Sequence, residues 1–343
     1  MRYKIGLDVS GGDFAPEEIL KGAILAKEEF NADVILIGVR EEIEKELSRY
    51  KSTSGKFVIM DAPEKIGMGE SPVSSVRRKR NSSIVIGVNF LKARGIDAFV
   101  SCGNTGAVVC ASTLTLGLIE GIERSGIAVT IPTQKGVSLM IDVGANISPK
   151  PLHLLHYGIM ASIYCNIVLN KENPTIGLLN IGEEASKGSD FIKYVHKLFS
   201  ASALNFIGNL EAKDIFSGKC DCIVCDGFVG NVALKVSEGC AEVVGRFFID
   251  TMKKSLLGKI GLLLAKGNLK KFKNLINYAE YGGAPLLGVN GIVIIGHGRS
   301  SSLAVKNAIR AALQELNRNL NLEIKKRTEE ICQEAGVKEI LAV

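Results

Sequence analysis

The sequence of 343 residues lacks the features that mark several classes of protein. No apolar run approaches the roughly 20 residues that a helix needs to cross a bilayer. The N-terminal segment MRYKIGLDVSGGD becomes polar too early for a signal peptide. No proline-rich or serine-rich tract divides the chain, and charged residues make up 23% of it, so the composition does not indicate disorder. We therefore expect a soluble, cytoplasmic, globular protein.

The motifs of several enzyme classes are also missing. The sequence contains neither the G-x-x-x-x-G-K-[ST] of nucleotide-binding P-loops nor the G-x-S-x-G of serine hydrolases. The first strand-like run is followed by GGDFAP instead of the G-x-G-x-x-G of dinucleotide-binding folds. No aromatic platform accompanies the basic run RRKR, which argues against nucleic acid as a partner. We therefore expect no Walker-type nucleotide site, no serine hydrolase and no cofactor.

Three of the eight cysteines form the pattern C-x-C-x-x-C at Cys220, Cys222 and Cys225. A structural zinc site needs four ligands, but neither a second C-x-x-C nor an H-x-x-x-H follows. Cys222 and Cys225 lie within an apolar, strand-like run, where a thiol is usually a small core residue. We expect reduced core thiols and no metal site.

One pattern recurs along the chain: a short apolar run, then glycine with small polar residues, then a helix-like stretch. The runs include KIGLDV, DAFVSC, VSLMIDV, TIGLLNI, IVCD and GIVIIG. Because they are apolar throughout, they are typical of parallel strands that are covered on both faces. The pattern predicts a three-layer, doubly wound α/β fold with a mostly parallel sheet. We assign residues 1–343 to one catalytic domain, with a basic helical projection at 250–280 and a helical tail at 317–343.

The turns after these runs place backbone N–H groups next to helix N-termini, an arrangement that binds phosphate. A single Gly-Asn turn is usually only a turn, but several in one α/β chain indicate a phosphate-lined cleft. The carboxyl ends of the strands are where ligands gather in such sheets. The candidate residues in the turns are Asp8, Gly11, Gly12, Asp13, Gly103, Asn104, Thr105, Gly106, Asn146, Asp226, Gly230 and Ser300. For the three aspartates and Asn146, a role in ordering the loops is an equally good interpretation.

Two cationic residues stand at strand ends. His297 lies between two glycines, which makes acid–base catalysis or anion contact as plausible as a structural role. Lys187, in EEASKGSD, would by itself be interpreted as a solvated loop lysine. His153, His156 and His196 lie in helix-like segments and are interpreted as core or surface residues.

Two basic segments suggest partners, and each also has a simpler interpretation. The run Arg77, Arg78, Lys79 and Arg80 is either a solvated face or a site for an acidic protein or phosphate. The second segment places an apolar stripe beside several lysines at helical spacing. Its residues Leu256, Leu257, Ile260, Leu263 and Leu264 would suit an anionic membrane surface or a protein interface, and the sequence leaves both open.

Taken together, the motifs resemble those of the PlsX family, the bacterial phosphate acyltransferases of phospholipid synthesis. They include DVSGGDFAP, SCGNTGA, DVGAN, LLNIGEE, CDGFVGN, YGGAPLLG and HGRSS, in the family order. The resemblance extends from about residue 4 to about residue 316. Three turns depart from the family pattern, with Val9 and Ser10 for Ala-Met, Cys102 for Ala and Arg299 for Ser.

The resemblance implies transfer of a long-chain acyl group from acyl carrier protein to inorganic phosphate, which yields acyl phosphate. It also implies a homodimer related in fold to phosphotransacetylases and the isocitrate dehydrogenase group. Peripheral attachment to the inner face of the membrane, near a downstream membrane acyltransferase, is a further implication. In our hypothesis phosphate attacks directly, Lys187 and His297 contact phosphate or oxyanion, and Asn231 orients the carbonyl. The basic run 77–80 would dock the acidic carrier protein. Two alternatives are a phosphotransacetylase-type enzyme that uses acyl-CoA and a non-catalytic, membrane-associated scaffold.

Overall fold

The computed structural model describes residues 2–50, 57–269 and 282–332. The strands are β1 (Tyr3–Asp8), β2 (Ala32–Gly38), β3 (Val58–Asp61), β4 (Ala98–Ser101), β5 (Gly126–Thr133), β6 (Gly136–Ile141), β7 (Ile176–Leu179), β8 (Phe206–Leu210), β9 (Cys222–Val224), β10 (Ala284–Leu287) and β11 (Ile292–Ile295). Within the described residues they form an 11-stranded sheet in the order β3-β2-β1-β4-β11-β10-β5-β6-β9-β7-β8.

The sheet consists of two parallel blocks that run in opposite directions. The strands β3-β2-β1-β4-β11 form one block and β6-β9-β7-β8 the other. Between them, β10 and β5 pair antiparallel with each other and with the flanking strands β11 and β6. Ile295 at the end of β11 pairs with Ala284, and Ile141 at the end of β6 pairs with Ala128. The carboxyl ends of the two blocks are therefore separated only by β10 and β5.

Helices cover the sheet on both faces. They are α1 (Glu17–Glu29), α2 (Arg40–Leu47), α3 (Pro72–Arg78), α4 (Ser83–Lys92), α5 (Thr105–Leu116), α6 (Pro151–Ile167), α7 (Asp190–Ala201), α8 (Gly227–Lys253), α9 (Leu256–Leu264), α10 (Ser302–Asn317) and α11 (Leu320–Cys332). Val34 and Leu36 of β2 point into the core beneath α1, α2 and α10, whereas Ile35 and Ile37 point into the core beneath α4 and α5. The other block packs against α6, α7 and α11. The predicted α/β fold with a mostly parallel sheet is confirmed.

The cysteines of the C-x-C-x-x-C pattern are core residues, as predicted. Cys220, Cys222 and Cys225 are all buried, and the sulfur of Cys222 lies 3.3 Å from that of Cys165 on α6. Burial raises the pKa of Cys220 to about 12, so its thiol stays protonated at neutral pH. These thiols pack within the apolar interior of the second block.

Helices α8 and α9 extend beyond the core. In the 27 residues of α8, only Gly227 and Gly230 are buried. Helix α9 exposes Leu257 by 83% and Leu264 by 82%, and α8 and α9 pack against each other. The predicted projection at 250–280 thus overlaps the end of α8 and all of α9, while residues 270–281 lie outside the described residues. The predicted tail at 317–343 overlaps α11, which packs on α6. Residues 333–343 of this tail also lie outside the described residues. No helix among the described residues is both long and apolar enough to cross a membrane.

Candidate active site

A cavity of about 310 Å³ lies where the two blocks of the sheet meet. Its floor is formed by β5, β10 and β11, and its rim by the loops after β4, β6 and β11 and one side of α8. The apolar side chains that line it are Ile127, Val129, Val143, Leu234, Ile295 and Ala304. The polar side chains that line it are Thr105, Asn231, Lys235, Glu238, His297 and Ser300. The sequence predicted four of these six polar residues.

The N-terminus of α5 points into the cavity through Thr105 and Gly106. Asn104 holds this end of the helix in place. Its Oδ1 accepts the Ala107 N–H at 3.0 Å, and its Nδ2 contacts the carbonyl oxygens of Gly67, Met68 and Glu70 at 3.0–3.1 Å. Because the side chain of Asn104 is fully engaged in these bonds, its position favours a supporting role. The amides of the first turn of α5 then carry the positive end of the helix dipole to the cavity.

Asp8 lies beside the cavity, not among its lining residues, and it joins two of the predicted turns. Its carboxylate accepts the Ser101 hydroxyl at 2.7 Å and the Ser10 N–H at 3.1 Å. Gly11 packs so closely on the next turn that a Cβ would lie 2.7 Å from the Gly103 nitrogen. Burial raises the pKa of Asp8, and these hydrogen bonds oppose the increase. The turn after β1 therefore serves chiefly to fix the turn between β4 and α5.

Asp13 and Gly12 connect the same turn to the loop after β11. The Asp13 N–H donates to the Gly298 carbonyl at 2.7 Å. Gly12 has a φ of +104°, and a Cβ there would lie 3.0 Å from the same carbonyl oxygen, so glycine is required at this position. The Asp13 carboxylate is exposed and close enough to His297 to influence its pKa.

Asp142, which the sequence analysis missed, does for the second block what Asp8 does for the first. It is fully buried directly after β6, and its Oδ1 accepts N–H groups of Ile127, Gly144 and Ala145 at 2.9–3.1 Å. Its Oδ2 accepts the Asn146 N–H at 2.7 Å. The symmetry between DVSGG and DVGAN, an aspartate followed two residues later by glycine or a small residue at a strand end, was the signal that could have identified it.

Asn146 and Asp226 fix the start of α8. The Asn146 side chain donates to the Ser125 carbonyl at 2.6 Å and to the Tyr157 hydroxyl at 2.7 Å. The main-chain carbonyl of Asn146 accepts the Gly227 N–H at 2.8 Å. Asp226 caps the helix by accepting the N–H groups of Phe228 and Val229, both at 2.9 Å. Because these amides are already bonded, the N-terminus of α8 is occupied by its own cap. The helix instead presents side chains to the cavity.

The cavity side of α8 carries Asn231, Leu234, Lys235 and Glu238, which follow helical spacing. The Lys235 ammonium donates to a Glu238 carboxylate oxygen at 3.3 Å. Lys235 and Glu238 were not predicted, although Lys235 stands one turn after the predicted Asn231. The spacing i, i+4 on an amphipathic helix was the available signal.

His297 enters the cavity from the loop after β11. Its Nδ1 accepts the Arg299 N–H at 3.1 Å, so in the neutral ring the proton is assigned to Nε2. Burial is the main cause that lowers the pKa of His297, and the nearby positive charge of Lys235 lowers it further. The imidazole is therefore neutral at pH 7 and is a hydrogen-bond donor through Nε2.

Ser300 is almost fully buried under the same loop. Its N–H donates to the His297 carbonyl at 2.9 Å, and its side chain hydrogen-bonds with Cys102. Burial raises the pKa of Cys102 to about 12, so this thiol is protonated at neutral pH. Ser300 thus ties the loop that carries His297 to the end of β4.

Lys187 and the basic run lie outside the cavity lining. Lys187 is exposed on the loop between β7 and α7, and β7 is separated from β6 by β9. Its catalytic role stays a prediction. In the basic run, Lys79 donates to a Glu70 carboxylate oxygen at 2.6 Å, whereas Arg77, Arg78 and Arg80 are exposed at the end of α3. The three arginines form a cationic patch, and docking at this patch also stays a prediction.

One group of carboxylates has the spacing of a metal site within the part of the chain that the structure describes. Its members are Glu183, Glu211 and Asp214, on loops at the edge of the second block. Lysines already pair with them: Lys219 lies 2.7 Å from Glu183 and 3.8 Å from Asp214, and Lys213 pairs with Glu211. This charge balance favours a set of ion pairs over a cation site.

Comparison with known proteins gives a consistent result. A family model described as fatty acid synthesis protein matches residues 3–323. A phosphate acyltransferase from Pelotomaculum thermopropionicum is 45% identical over 328 residues, which cover 96% of this chain and 96% of that protein. A phosphate acyltransferase from Halothermothrix orenii is 45% identical over 320 residues, which cover 92% of this chain and 96% of that protein.

The fold also has a counterpart among solved structures. A phosphotransacetylase from Streptococcus pyogenes matches with a TM-score of 0.62, over 92% of this chain and 94% of that one. The two sequences are 16% identical, so the likeness concerns the fold alone. It confirms the phosphotransacetylase-like fold that the sequence motifs implied.

Proposed function

Because this chain belongs to the fatty acid synthesis protein family, the PlsX phosphate acyltransferases, we propose that it transfers a long-chain acyl group from acyl carrier protein to orthophosphate. The products are acyl phosphate and the free carrier thiol. The acyl phosphate then serves phospholipid synthesis by a downstream membrane acyltransferase.

The observation that carries this proposal is the composition of the cavity. The N-terminus of α5 and the imidazole of His297 supply donors for an anion. The apolar side chains of Ile127, Val129 and Leu234, which line the same cavity, supply a surface for the first carbons of an acyl chain. A site that holds orthophosphate next to a thioester needs both kinds of surface.

In the proposed reaction, a phosphate oxygen attacks the thioester carbonyl carbon and forms the new C–O bond. The C–S bond then breaks, and the sulfur leaves as a thiolate that takes a proton from solvent. The amides of Thr105 and Gly106 hold the phosphate, the Nε2–H of His297 donates to phosphate or to the developing oxyanion, and Asn231 orients the carbonyl. These donors contribute by stabilising charge in a preformed site.

Direct attack agrees with the state of a thiol beside the cavity. Cys102 lies against Gly296, a lining residue, and its raised pKa keeps it protonated and poorly nucleophilic. The buried Ser300 side chain is hydrogen-bonded to that thiol instead of to a general base. We therefore propose that no acyl-enzyme forms.

Two surfaces suit the macromolecular partners. The cationic patch of Arg77, Arg78 and Arg80 would attract the acidic carrier protein, because complementary charge steers association. On α9, the exposed leucines lie next to Lys253, Lys254, Lys259 and Lys266, a composition typical of helices that lie on anionic membranes. The enzyme would then be cytoplasmic and peripherally attached at the inner face.

The proposed homodimer has a candidate surface on α8. An exposed apolar stripe runs along it at spacings of three or four residues, on the side opposite Leu234 and Glu238. It consists of Val229, Val232, Val236, Cys240, Val243 and Phe247. Such spacing is typical of the seam between two packed helices, so we propose that a second copy of the chain covers it.

The direct test is the orthophosphate-dependent release of free carrier thiol from acyl carrier protein carrying a long acyl chain. We expect release with phosphate and none with sulfate. Faster turnover of acyl-CoA than of acyl carrier protein would support the phosphotransacetylase-type alternative, and a complete absence of acyl phosphate would support the scaffold alternative. An acyl label that stays on the denatured protein would contradict direct attack.

A further inference from the structure

The cavity contains a cation that the sequence analysis did not assign. We propose that Lys235 contacts the phosphate in the cavity and that Glu238 positions its ammonium group. The inference rests on the proposed function, which it deepens by naming the charged residue that binds the phosphate substrate. The contact that the sequence predicts for Lys187 stays a prediction, and the experiment below compares the two lysines.

The backbone of Lys235 is held at a fixed place relative to the cavity. At the start of α8, Gly227 and Gly230 pack directly on the loop after β6, where a Cβ on Gly227 would lie 2.6 Å from the Asn146 carbonyl oxygen. The Asp226 cap fixes the helix start in the same place. A helix rises about 1.5 Å per residue, so Lys235 lies roughly 7–8 Å along the axis from Gly230. Its position follows from contacts that tolerate little movement.

Glu238 restrains the lysine side chain, which is 56% exposed and would otherwise sample many rotamers. The ammonium lies 3.3 Å from Glu238 Oε2, and the Glu238 side chain is 23% exposed. An ammonium group has three donors, so one bond to Glu238 leaves others for a phosphate oxygen. The carboxylate would repel phosphate on its own, but its charge is balanced by the lysine that it holds.

The charges around His297 connect this pair to the rest of the site. The ring lies within electrostatic range of the cations Lys235 and Arg299 and of the carboxylates Glu238 and Asp13. Lys235 lowers the pKa of His297, after the larger effect of burial, whereas Glu238 raises it. The pair therefore lies within electrostatic reach of the imidazole that faces the same cavity. A measured change in the pKa of His297 therefore shows whether either charge has been removed from the vicinity of the ring.

The experiment uses the full chain and needs no acyl donor. Orthophosphate binding is measured by calorimetry, and the pKa of His297 by NMR of the protein with labelled histidine. The variants are Lys235→Met, Glu238→Gln, Lys187→Met and, as the matched control, Arg246→Met. Arg246 forms a similar ion pair with Glu242 at 2.6 Å on the same helix, but 11 residues beyond Lys235. At about 1.5 Å per residue it lies roughly 16 Å farther from the cavity.

We expect Lys235→Met to weaken phosphate binding by about 10- to 100-fold, as for the loss of a charge-assisted hydrogen bond. The pKa of His297 should rise in Lys235→Met and fall in Glu238→Gln, because opposite charges are removed. Glu238→Gln should weaken phosphate binding less than Lys235→Met, and Arg246→Met should change neither quantity. Lys235→Arg should recover part of the binding.

Two results would overturn the inference: unchanged phosphate binding in Lys235→Met, or a loss of binding in Lys187→Met in its place. A shift of the His297 pKa in the predicted directions, together with weaker phosphate binding, supports the inference even if the wild-type enzyme releases no carrier thiol. In that case the proposed function fails while the anion site stands. Lys235 is exposed, so its variants should fold, which a thermal melt confirms.

Discussion

Gly230 of α8 packs directly against the main chain of Asp142. A Cβ on Gly230 would overlap the Asp142 carbonyl oxygen and would lie 2.8 Å from the sulfur of Cys225. The contact joins the helix that carries Asn231 to the loop that closes the cavity from the other side. The contact sets how closely α8 approaches the loop after β6, and it makes glycine necessary at position 230.

We expect Gly230→Ala to displace the start of α8, to lower activity by at least about 10-fold and to destabilise the protein by about 1–3 kcal/mol, since the methyl group meets rigid backbone. Gly239→Ala on the same helix is the control. A Cβ there meets nothing within 4 Å, and alanine favours helix, so this variant should be stabilised by up to about 1 kcal/mol. Urea unfolding and the carrier-thiol assay measure both effects. Equal behaviour of the two variants would contradict this account of the contact.

The strands of the parallel blocks and the turns after them could be predicted from sequence because each is a local pattern. The runs KIGLDV, DAFVSC and GIVIIG became β1, β4 and β11, and the turns at Asn104 and His297 reach one cavity. The reversal of direction at β10 and β5 could not be predicted, since strand order depends on contacts between residues far apart in sequence. That reversal brings the ends of β6 and β11 to the same place.

The same reasoning explains the residues that were missed and those that lie outside the cavity lining. Lys187 entered the predicted site only with the mechanism that follows from the resemblance, since its position in a loop is typical of a solvated lysine. The strand before it, β7, lies on the far side of β9 from the cavity. Lys235 was overlooked because it lies within a helix, where a lysine is usually solvated. Asn104 and Asn146 lie in the right turns, but their side chains are engaged in holding backbone. Which member of a turn faces the ligand depends on side-chain packing, and this cannot be read from spacing.

Replacement of His297 tests the imidazole donor. We expect His297→Ala to lower kcat/KM by about 10²-fold, the usual effect of removing one donor to a developing oxyanion. Because the pKa of His297 is lowered from 6.5, titration of its ring should not change the wild-type rate above pH 7, after correction for the protonation of free orthophosphate. The rate should fall on the acid side, where protonation disrupts the Arg299 N–H bond to Nδ1. His196→Gln, on α7, is the control with unchanged kinetics. If the rate of His297→Ala still falls on the acid side, this pH dependence belongs to another group.

The leucines of α9 are expected to bind the membrane. Leu256→Glu combined with Leu263→Glu places charge among exposed apolar residues and should release the protein from anionic vesicles, while activity in solution is retained. Leu322→Glu, on α11, changes a similarly exposed leucine and should leave vesicle binding intact. Sedimentation with vesicles measures the bound fraction. Unchanged binding of the double variant would assign α9 to a protein interface.

The apolar stripe of α8 is expected to form the dimer contact. Val236→Glu combined with Val243→Glu would bury charge in such a contact, so the protein should become monomeric at micromolar concentration. Val73→Glu, at an exposed position on α3, is the control that should stay dimeric. Light scattering after size-exclusion chromatography gives the mass. A wild-type protein that is already monomeric would exclude the homodimer.

A buried histidine makes stability depend on pH without taking part in the site. His156 lies in α6, is 2% exposed, and accepts the Glu123 N–H through Nδ1 at 3.4 Å. Burial lowers its pKa from 6.5 to about 4. Between these values the unfolded chain holds a proton that the folded protein excludes, so the free energy of unfolding should rise with pH.

The stabilisation from neutral His156 is complete above pH 6.5 and is lost as the pH falls towards 4, by about 3 kcal/mol. His156→Gln is neutral at every pH and can still accept a hydrogen bond, so its stability should depend less on pH in this window. His153, whose pKa burial also lowers, still titrates in both proteins. The difference between the two urea-unfolding series therefore isolates His156. If the unfolding free energies of the two proteins change in parallel from pH 7 to pH 4, His156 binds its proton equally well in the folded and unfolded states, which would contradict the lowered pKa.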